Sequence, residues 1–282
     1  MNPKDNTQSG ILYMVATPIG NLDDISSRAL HILRTVDAIA CEDTRVSQKL
    51  LSAYGIHKAL FPLHQHNEHQ ATVKLLARLQ AGEHIAFISD AGTPLVADPG
   101  FWLTRAAHEA GIRVCPIVGA SSILAALSAS GLPADTFCFA GFIPSKAGDR
   151  KRFLENFINT AYTTVFFETP HRIAETLAEM KALYPATRRL TIARELTKQF
   201  EQIVALQVGE ASSWLAEDEY HARGEFVLVL EGYTQENDNW QDFARDLYQA
   251  GLGAKSISQL LAEHHGANKK AVYAYVLSLA DD

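Results

Sequence analysis

Cysteine is scarce in this chain, and the few cysteines are isolated from one another. Three occur among 282 residues, at Cys41, Cys115 and Cys138, each within an apolar or strand-like run. None has the close spacing of zinc ligands, and the histidines in the segment 64–69 match no zinc pattern either. We therefore expect buried thiols in a reducing cytosol, a cytoplasmic location and no bound metal.

Long apolar runs and an excess of basic residues are also missing. No uninterrupted apolar stretch reaches the length of a membrane span, and no signal peptide is recognisable, so we expect no membrane partner. The net charge of −7 argues against a general nucleic-acid-binding surface, which leaves RNA contacts to local basic patches. Glycine-rich phosphate loops of the dinucleotide and nucleoside triphosphate enzymes are absent as well.

The apolar residues that are present, 47% of the chain, indicate a folded α/β protein. Residues 11–132 alternate short apolar strands with amphipathic helices, which predicts a mainly parallel sheet covered on both faces. Beyond that point the strands become longer and several alternate apolar with polar residues, as in 202–208. This pattern predicts antiparallel neighbours in a second α/β domain over residues 133–232.

The two ends of the chain differ from these domains. Residues 1–10 are polar, and we expect a disordered tail. After a polar stretch at 234–239, residues 239–282 carry three apolar stripes at helical spacing with turns at Gly251 and Gly266. These features predict a small helical module, either a packing appendage or a helix-turn-helix.

Four polar loops follow strands of the first domain, at the sheet edge where open α/β folds bind ligands. The loop 89–94, Ser-Asp-Ala-Gly-Thr-Pro, is the most informative, and 17–21, 42–45 and 116–122 are the others. We expect Asp98 to cap the helix that follows it. An acidic loop without phosphate-binding chemistry suits a cationic or hydroxyl-rich ligand, and S-adenosylmethionine has both features.

The second domain contains clusters of mixed charge. Segments 167–172, 194–198 and 223–226 each combine a carboxylate with a basic residue, so they form either buried ion pairs or a polar cleft for ribose and phosphate. The segment 146–152 is the clearest basic cluster. If Asp149 caps its helix, three cations lie in the first turn against the helix dipole, which favours either phosphate contact or a solvated face.

Taken together, these segments resemble the ribosomal RNA small-subunit methyltransferase I family of the tetrapyrrole methylase superfamily, the class III S-adenosylmethionine-dependent methyltransferases. The resemblance covers residues 10–232 and extends to Lys269-Lys270-Ala271-Val272-Tyr273. It is carried by an ordered set of segments: Ala16–Leu22, Glu42–Arg45, His66–Glu68, Ser89–Pro94, Asp98–Gly100, Ser128–Pro133, Ala193–Lys198 and Arg223–Glu225.

The resemblance implies 2′-O-methylation of a cytidine ribose in the decoding region of 16S rRNA, with S-adenosylmethionine as the cofactor. It also implies two α/β domains with the cofactor cleft between them, a homodimer, and 16S rRNA within the small ribosomal subunit as partner. Two other functions stay open: a small-molecule methyltransferase of the tetrapyrrole type, and a non-enzymatic RNA-binding module.

On this hypothesis three groups of residues form the site. We expect catalytic roles for Asn21, Glu42, Asp43 and Arg45, with Glu42 or Asp43 accepting the proton of the ribose hydroxyl. Cofactor contacts are expected from Pro18, Gly20, Ser89, Asp90, Ala91, Gly92, Thr93, Gly119, Ser121, Ser122 and Phe167. RNA contacts are expected from Lys146, Arg150, Lys151, Arg152, Arg194, Glu195 and Lys198.

Overall fold

The computed structural model describes residues 9–233 and 240–279. The described chain forms two compact units, the first made of residues 9–158 and 162–232, the second of 159–161, 233 and 240–279. Residues 1–8 of the tail predicted over residues 1–10, and the polar stretch 234–239, lie outside the described residues. Gly10 is described: it is buried, and its N–H donates to the carbonyl of Leu79 at 2.8 Å. Both predicted α/β domains belong to the first unit, so their division at residue 132 stays a prediction.

A five-stranded, fully parallel sheet forms the first half of the larger unit, as the sequence predicts. Its order is β3-β2-β4-β1-β5, with four helices in the crossovers. Every residue of β2 and β4 is buried, because α1 and α2 pack on one face and α3 and α4 on the other. The elements are β1 (Ile11–Val15), α1 (Ser27–Thr35), β2 (Ala38–Cys41), α2 (Thr44–Ala53), β3 (Leu60–Pro62), α3 (Glu68–Gln80), β4 (Ile85–Ile88), α4 (Phe101–Glu109) and β5 (Arg113–Ile117).

The second sheet is mixed, in the order β6-β7-β10-β8-β9, with only β6 and β7 parallel. The predicted antiparallel pairing is confirmed for β8 and β9. Helix α5 packs against one face together with residues of the first sheet's loops, while α6, α7 and α8 cover the other. The elements are α5 (Ser122–Ala129), β6 (Phe137–Phe142), α6 (Ala147–Glu155), β7 (Thr163–Glu168), α7 (Ile173–Leu183), β8 (Arg189–Arg194), β9 (Gln202–Gln207), α8 (Val208–Glu217) and β10 (Phe226–Leu230).

The smaller unit contains the three predicted short helices, α9 (Trp240–Gln249), α10 (Ala254–His265) and α11 (Lys269–Ser278). Buried apolar side chains from all three form its core. Gly251 and Gly266 make the turns with φ of +89° and +65°, a region that favours glycine. Within the described ranges, no helix is both long and apolar enough to cross a membrane.

The predicted start of α4 is wrong. The helix begins at Phe101 and is preceded by Gly100 at φ +117°, whereas we expected Asp98 to cap it. The cap comes from another helix: the backbone N–H groups of Gly100 and Trp102 donate to Oε1 of Glu68, at 2.9 and 3.0 Å. Glu68 is buried at the start of α3, so tertiary contact replaced the local cap.

The predicted start of α6 is also wrong. The helix begins at Ala147, with Lys146 in the capping position. Asp149 lies inside the first turn and accepts a hydrogen bond from the guanidinium of Arg152 at 2.5 Å. Its negative charge at the start of the helix still interacts favourably with the helix dipole and offsets the neighbouring positive charges.

Glu68 gives a prediction for stability. Replacing Glu68 by Ala leaves two N–H groups at the start of α4 without their acceptor, and we expect the free energy of unfolding to fall by about 1–2 kcal/mol. Urea denaturation followed by circular dichroism measures this loss. Glu68→Gln is the matched control, because its amide oxygen can still accept both bonds. Equal stability of the Ala variant and the unchanged protein would contradict the capping role.

Candidate active site

A cavity of about 370 Å³ opens at the carboxyl ends of β2 and β4. Its other walls come from the loops after β1 and β8, the start of α5, the ends of β6 and β7, and the start of β10. The volume is within the range of small-molecule sites. The predicted residues that line it are Glu42, Asp90, Ala91, Gly92, Thr93, Ser121, Ser122, Phe167 and Lys198.

The other thirteen predicted residues lie outside the cavity lining, and twelve residues line the cavity without having been predicted. The predicted residues outside it are Pro18, Gly20, Asn21, Asp43, Arg45, Ser89, Gly119, Lys146, Arg150, Lys151, Arg152, Arg194 and Glu195. Residues that line it without having been predicted as site residues are Ile19, Val96, Ala97, Asp98, Ile123, Phe142, Glu168, Thr169, Leu196, Glu225, Phe226 and Val227. Glu168, Thr169 and Glu225 stand in the mixed-charge segments 167–172 and 223–226, and Asp98 stands in the segment Asp98–Gly100 of the family resemblance, so these segments were the available signal.

The loop after β4 is fixed to its neighbours by backbone hydrogen bonds. Thr17 and Gly92 exchange two N–H to carbonyl bonds, of 2.9 and 3.1 Å. The hydroxyl of Thr93 donates to the carbonyl of Ala120 at 3.1 Å. The loops after β1, β4 and β5 therefore form one connected rim, which explains why residues such as Gly92 and Thr93 reach the cavity.

The same loop contains backbone strain beside the cavity. Leu95 and Ala97 adopt φ of +72° and +66°, values that cost a residue with a side chain about 1–3 kcal/mol. This pair of left-handed residues directs the chain so that Val96, Ala97 and Asp98 all line the cavity. Strain of this kind concentrates at ligand sites.

Five carboxyl groups line the cavity, and three of them, Glu42, Asp90 and Asp98, follow strands of the first sheet. Burial, followed by the negative charges of Asp98 and Asp90, raises the pKa of Glu42 to about 7. Burial also raises the pKa of Asp98, against a hydrogen bond from Ser89 that lowers it. Like charges in a poorly solvated space favour protonation, so the cluster is suited to a cationic ligand or to a proton acceptor near neutral pH.

Asp43 and Arg45 form a separate pair on the outside of the rim. The Asp43 carboxylate caps α2 by accepting from the Arg45 N–H at 2.8 Å, and it forms an ion pair with the Arg45 guanidinium at 2.6 Å. The hydrogen bonds from Arg45 lower the pKa of Asp43 to about 2. The Asp43 N–H donates to Oδ1 of Asp90 at 3.0 Å, so Asp43 supports the cavity wall through its backbone.

Asn21, which we expect to have a catalytic role, makes structural contacts through its side-chain oxygen and its backbone N–H. Its side-chain oxygen accepts from the N–H of Asp23 at 3.1 Å and caps the 3-10 helix Leu22–Asp24. Its backbone N–H donates to the hydroxyl of Thr197 at 3.1 Å. This last bond joins the loop after β1 to the loop after β8.

Lys198 brings a positive charge to the opposite wall. Its ammonium group bonds to Oε1 of Glu195 at 2.9 Å and to Oε2 of Glu225 at 2.8 Å. Gly20 permits this approach, because a Cβ there would lie 2.5 Å from Cγ of Lys198. Two carboxylates surround one ammonium, so this wall is also acidic overall.

Glu168 is buried at the end of β7 and organises the turn beside Phe167. It accepts hydrogen bonds from the N–H of Thr169 at 2.7 Å, the guanidinium of Arg172 at 3.0 Å and the hydroxyl of Thr176 at 2.6 Å. This buried ion pair is one of the two possibilities that the mixed-charge segment left open. The turn nevertheless contributes Thr169 to the cavity.

The predicted RNA-contacting cations divide into buried and exposed groups. Arg150 is 4% exposed and bonds to Glu175 at 2.7 Å. Arg194 is 6% exposed and donates to the carbonyl of Arg223 at 2.6 Å and to Gln202 at 2.7 Å. Both guanidinium groups therefore stabilise the fold. The exposed cations of the set are Lys146, Lys151 and Arg152.

Comparison with known proteins places the chain in a family. The family described as Tetrapyrrole (Corrin/Porphyrin) Methylases matches residues 11–212. Ribosomal RNA small subunit methyltransferase I of Escherichia coli O157:H7 is 48% identical over 276 residues, which cover 97% of this chain and 96% of that protein. The protein of the same name from Pasteurella multocida is 49% identical, with 96% and 98% covered.

A solved structure supports the same fold. Uroporphyrin-III C-methyl transferase from Thermus thermophilus, complexed with S-adenyl homocysteine, aligns with a TM-score of 0.54 at 18% identity and covers 79% of this chain and 97% of its own. At that identity the likeness concerns the fold alone. It confirms the predicted class III architecture, and with the near-complete matches above, the chain belongs to the ribosomal RNA small subunit methyltransferase I family, within the tetrapyrrole methylases.

Proposed function

We propose that the chain transfers a methyl group from S-adenosylmethionine to small-subunit ribosomal RNA, at the 2′-oxygen of a cytidine ribose in the decoding region. The observation that carries the proposal is the cluster of Glu42, Asp90 and Asp98 in one cavity. The names of near full-length relatives support an rRNA substrate over a small tetrapyrrole. The S-adenyl homocysteine complex of the Thermus enzyme supports the cofactor.

The residues of the cavity fit this cofactor. S-adenosylmethionine supplies an electrophilic methyl group on a positively charged sulfur. Asp90 and Asp98 offer carboxylates to a cationic ligand with amino and hydroxyl groups, and Ser121 and Ser122 add hydroxyls at the start of α5. Phe167 and Val96 add apolar surface to the cavity lining. A mainly apolar lining with a few polar groups is typical of small-molecule sites.

Glu42 is the better of the two carboxylates for accepting the ribose proton. A ribose hydroxyl is a weak nucleophile, and a general base is most effective when its pKa lies near the working pH. The pKa of Glu42 is raised to about 7, whereas that of Asp43 is lowered to about 2 by its bonds to Arg45. Glu42 would take the proton from the 2′-hydroxyl, while the rigid rim aligns the oxygen for attack.

The exposed cations would guide the RNA. Lys146, Lys151 and Arg152, at the start of α6 and within it, are exposed, as is Arg45 at the start of α2. These cations are suited to phosphate contact. Since the net charge of the chain is −7, repulsion disfavours protein-free RNA. We propose that the substrate is an assembled or partly assembled small subunit in the cytoplasm, and that the enzyme acts as a homodimer.

The proposed function predicts a specific ribose methylation. Small subunits from cells that lack the gene, incubated with the purified protein and S-adenosylmethionine, should gain one 2′-O-methylcytidine in the decoding region. Mapping of ribose methylation by alkaline resistance or mass spectrometry shows its position. Protein-free 16S rRNA should react more slowly, and methylation at a base carbon or nitrogen would contradict the proposal.

The raised pKa of Glu42 predicts that the rate of methyl transfer depends on pH. A base must be deprotonated, so kcat/KM should rise with pH and level off above about 7, the pKa of Glu42. Glu42→Gln should lower kcat by about 10²–10⁴-fold and remove this rise. Asp43→Asn keeps a capping oxygen and should retain kcat within a few fold. If the Glu42 variant works as well as the unchanged enzyme, the base assignment fails.

The position of Asp90 in the cavity predicts that its replacement lowers the affinity for the cofactor. Asp90→Asn keeps an oxygen for the Asp43 N–H but removes the charge, so we expect S-adenosylmethionine to bind about tenfold more weakly or worse. Isothermal titration calorimetry measures this affinity. Asp37→Asn is the matched control: Asp37 also accepts a backbone N–H, from His84 at 2.7 Å, but precedes β2 at the opposite edge of the sheet. Unchanged affinity in the Asp90 variant would contradict cofactor contact.

A further inference from the structure

An exposed group of aromatic side chains lies at the starts of α3 and α4, and the cavity does not use it. Phe101 is 53% exposed and Trp102 39% exposed, although both are large apolar side chains. The ring of His69 lies 4.5 Å from that of Trp102, and the ring of Phe101 lies 5.2 Å from it, edge to face. We call these three residues the aromatic platform.

The platform is held rigidly by a buried carboxylate. Glu68, next to His69 in the chain, accepts the backbone N–H of Trp102 at 3.0 Å and that of Gly100 at 2.9 Å. These bonds join the first turns of α3 and α4, which carry the rings. Aromatic rings that are fixed before binding lose little conformational entropy when a ligand stacks on them.

The platform shares an edge with the cavity. Helix α4 follows β4 and α3 follows β3, so both helix starts lie at the carboxyl edge of the parallel sheet. The cavity residues Val96, Ala97 and Asp98 are followed in the chain by Pro99 and Gly100 and then by the platform residues Phe101 and Trp102. A polymer whose ribose enters the cavity would therefore have neighbouring nucleotides near this surface.

The charge around the platform suits an RNA strand rather than a purely apolar partner. The guanidinium of Arg105 lies 5.8 Å from the centre of the Trp102 ring, and His66, three residues before His69, is exposed. Glu109, the acidic neighbour, is ion-paired with Arg105. Aromatic rings interleaved with cationic and imidazole groups are the chemistry by which proteins stack unpaired bases.

We propose that the aromatic platform stacks unpaired bases that flank the target nucleotide, and so positions the RNA strand at the cavity. This inference rests on the proposed function. The platform contributes binding of the substrate strand and leaves cofactor contact and proton transfer to the cavity. Its effect should therefore be on KM for the RNA substrate.

The test uses the full chain and small subunits from cells that lack the gene. Trp102→Ala should raise KM about tenfold, because stacking of a base on an aromatic ring contributes to binding, while kcat stays within twofold. Trp102→Phe, which keeps a ring, should recover most of the affinity. Calorimetry should show unchanged S-adenosylmethionine binding in both variants. Phe101→Ala provides the same test at a more exposed ring if Trp102→Ala fails to fold.

A matched control comes from β6, an edge strand of the second sheet. Phe137, at the start of β6, is 40% exposed, and Phe137→Ala should leave KM unchanged. A platform variant with unchanged KM would overturn the inference, as would a variant whose KM rises only because the oligomer dissociates, measured by light scattering. If the unchanged enzyme methylates no small subunit, the proposed function itself has failed, which is a distinct result.

Discussion

The close placement of three half-buried carboxyl groups on one side of the cavity is the constraint on which the site depends. Glu42, Asp90 and Asp98 lie at or near the ends of two adjacent parallel strands, where the fold holds their carboxyl groups close together. Without a cation, the cluster relieves its repulsion by holding a proton, as the raised pKa values of Glu42 and Asp98 indicate. The same repulsion makes a cationic ligand favourable, so one arrangement supports both cofactor binding and proton transfer.

This cluster requires a backbone that ordinary loops do not supply. Two left-handed residues, Leu95 and Ala97, direct Asp98 toward Asp90, and the paired N–H bonds between Thr17 and Gly92 fix the loop to β1. The unfavourable φ values are maintained because these contacts on either side leave the chain few alternatives. The local strain is thus stabilised by the rest of the sheet.

The sequence predicts the parallel sheet and most strand positions, because buried strands such as β2 and β4 are apolar at every residue and sharply bounded. It also places Asp90 and Glu42 at the site, since carboxyl ends of parallel strands meet at one edge. It fails where the determinant is a distant contact. Neither the cap from Glu68 to α4 nor the burial of Arg194 by carbonyl groups leaves a local pattern.

Those distant contacts also connect the two parts of the site. Glu68 bonds to Gly100 and Trp102, so one buried carboxylate fixes both the end of the cavity loop and the start of the aromatic platform. A change in that bond would alter the position of Asp98 and of the Trp102 ring together. Cofactor contact and strand contact are therefore coupled through the backbone of residues 98–102, and a substitution at Glu68 should affect both affinities in the same direction, whereas one at Trp102 affects only the RNA.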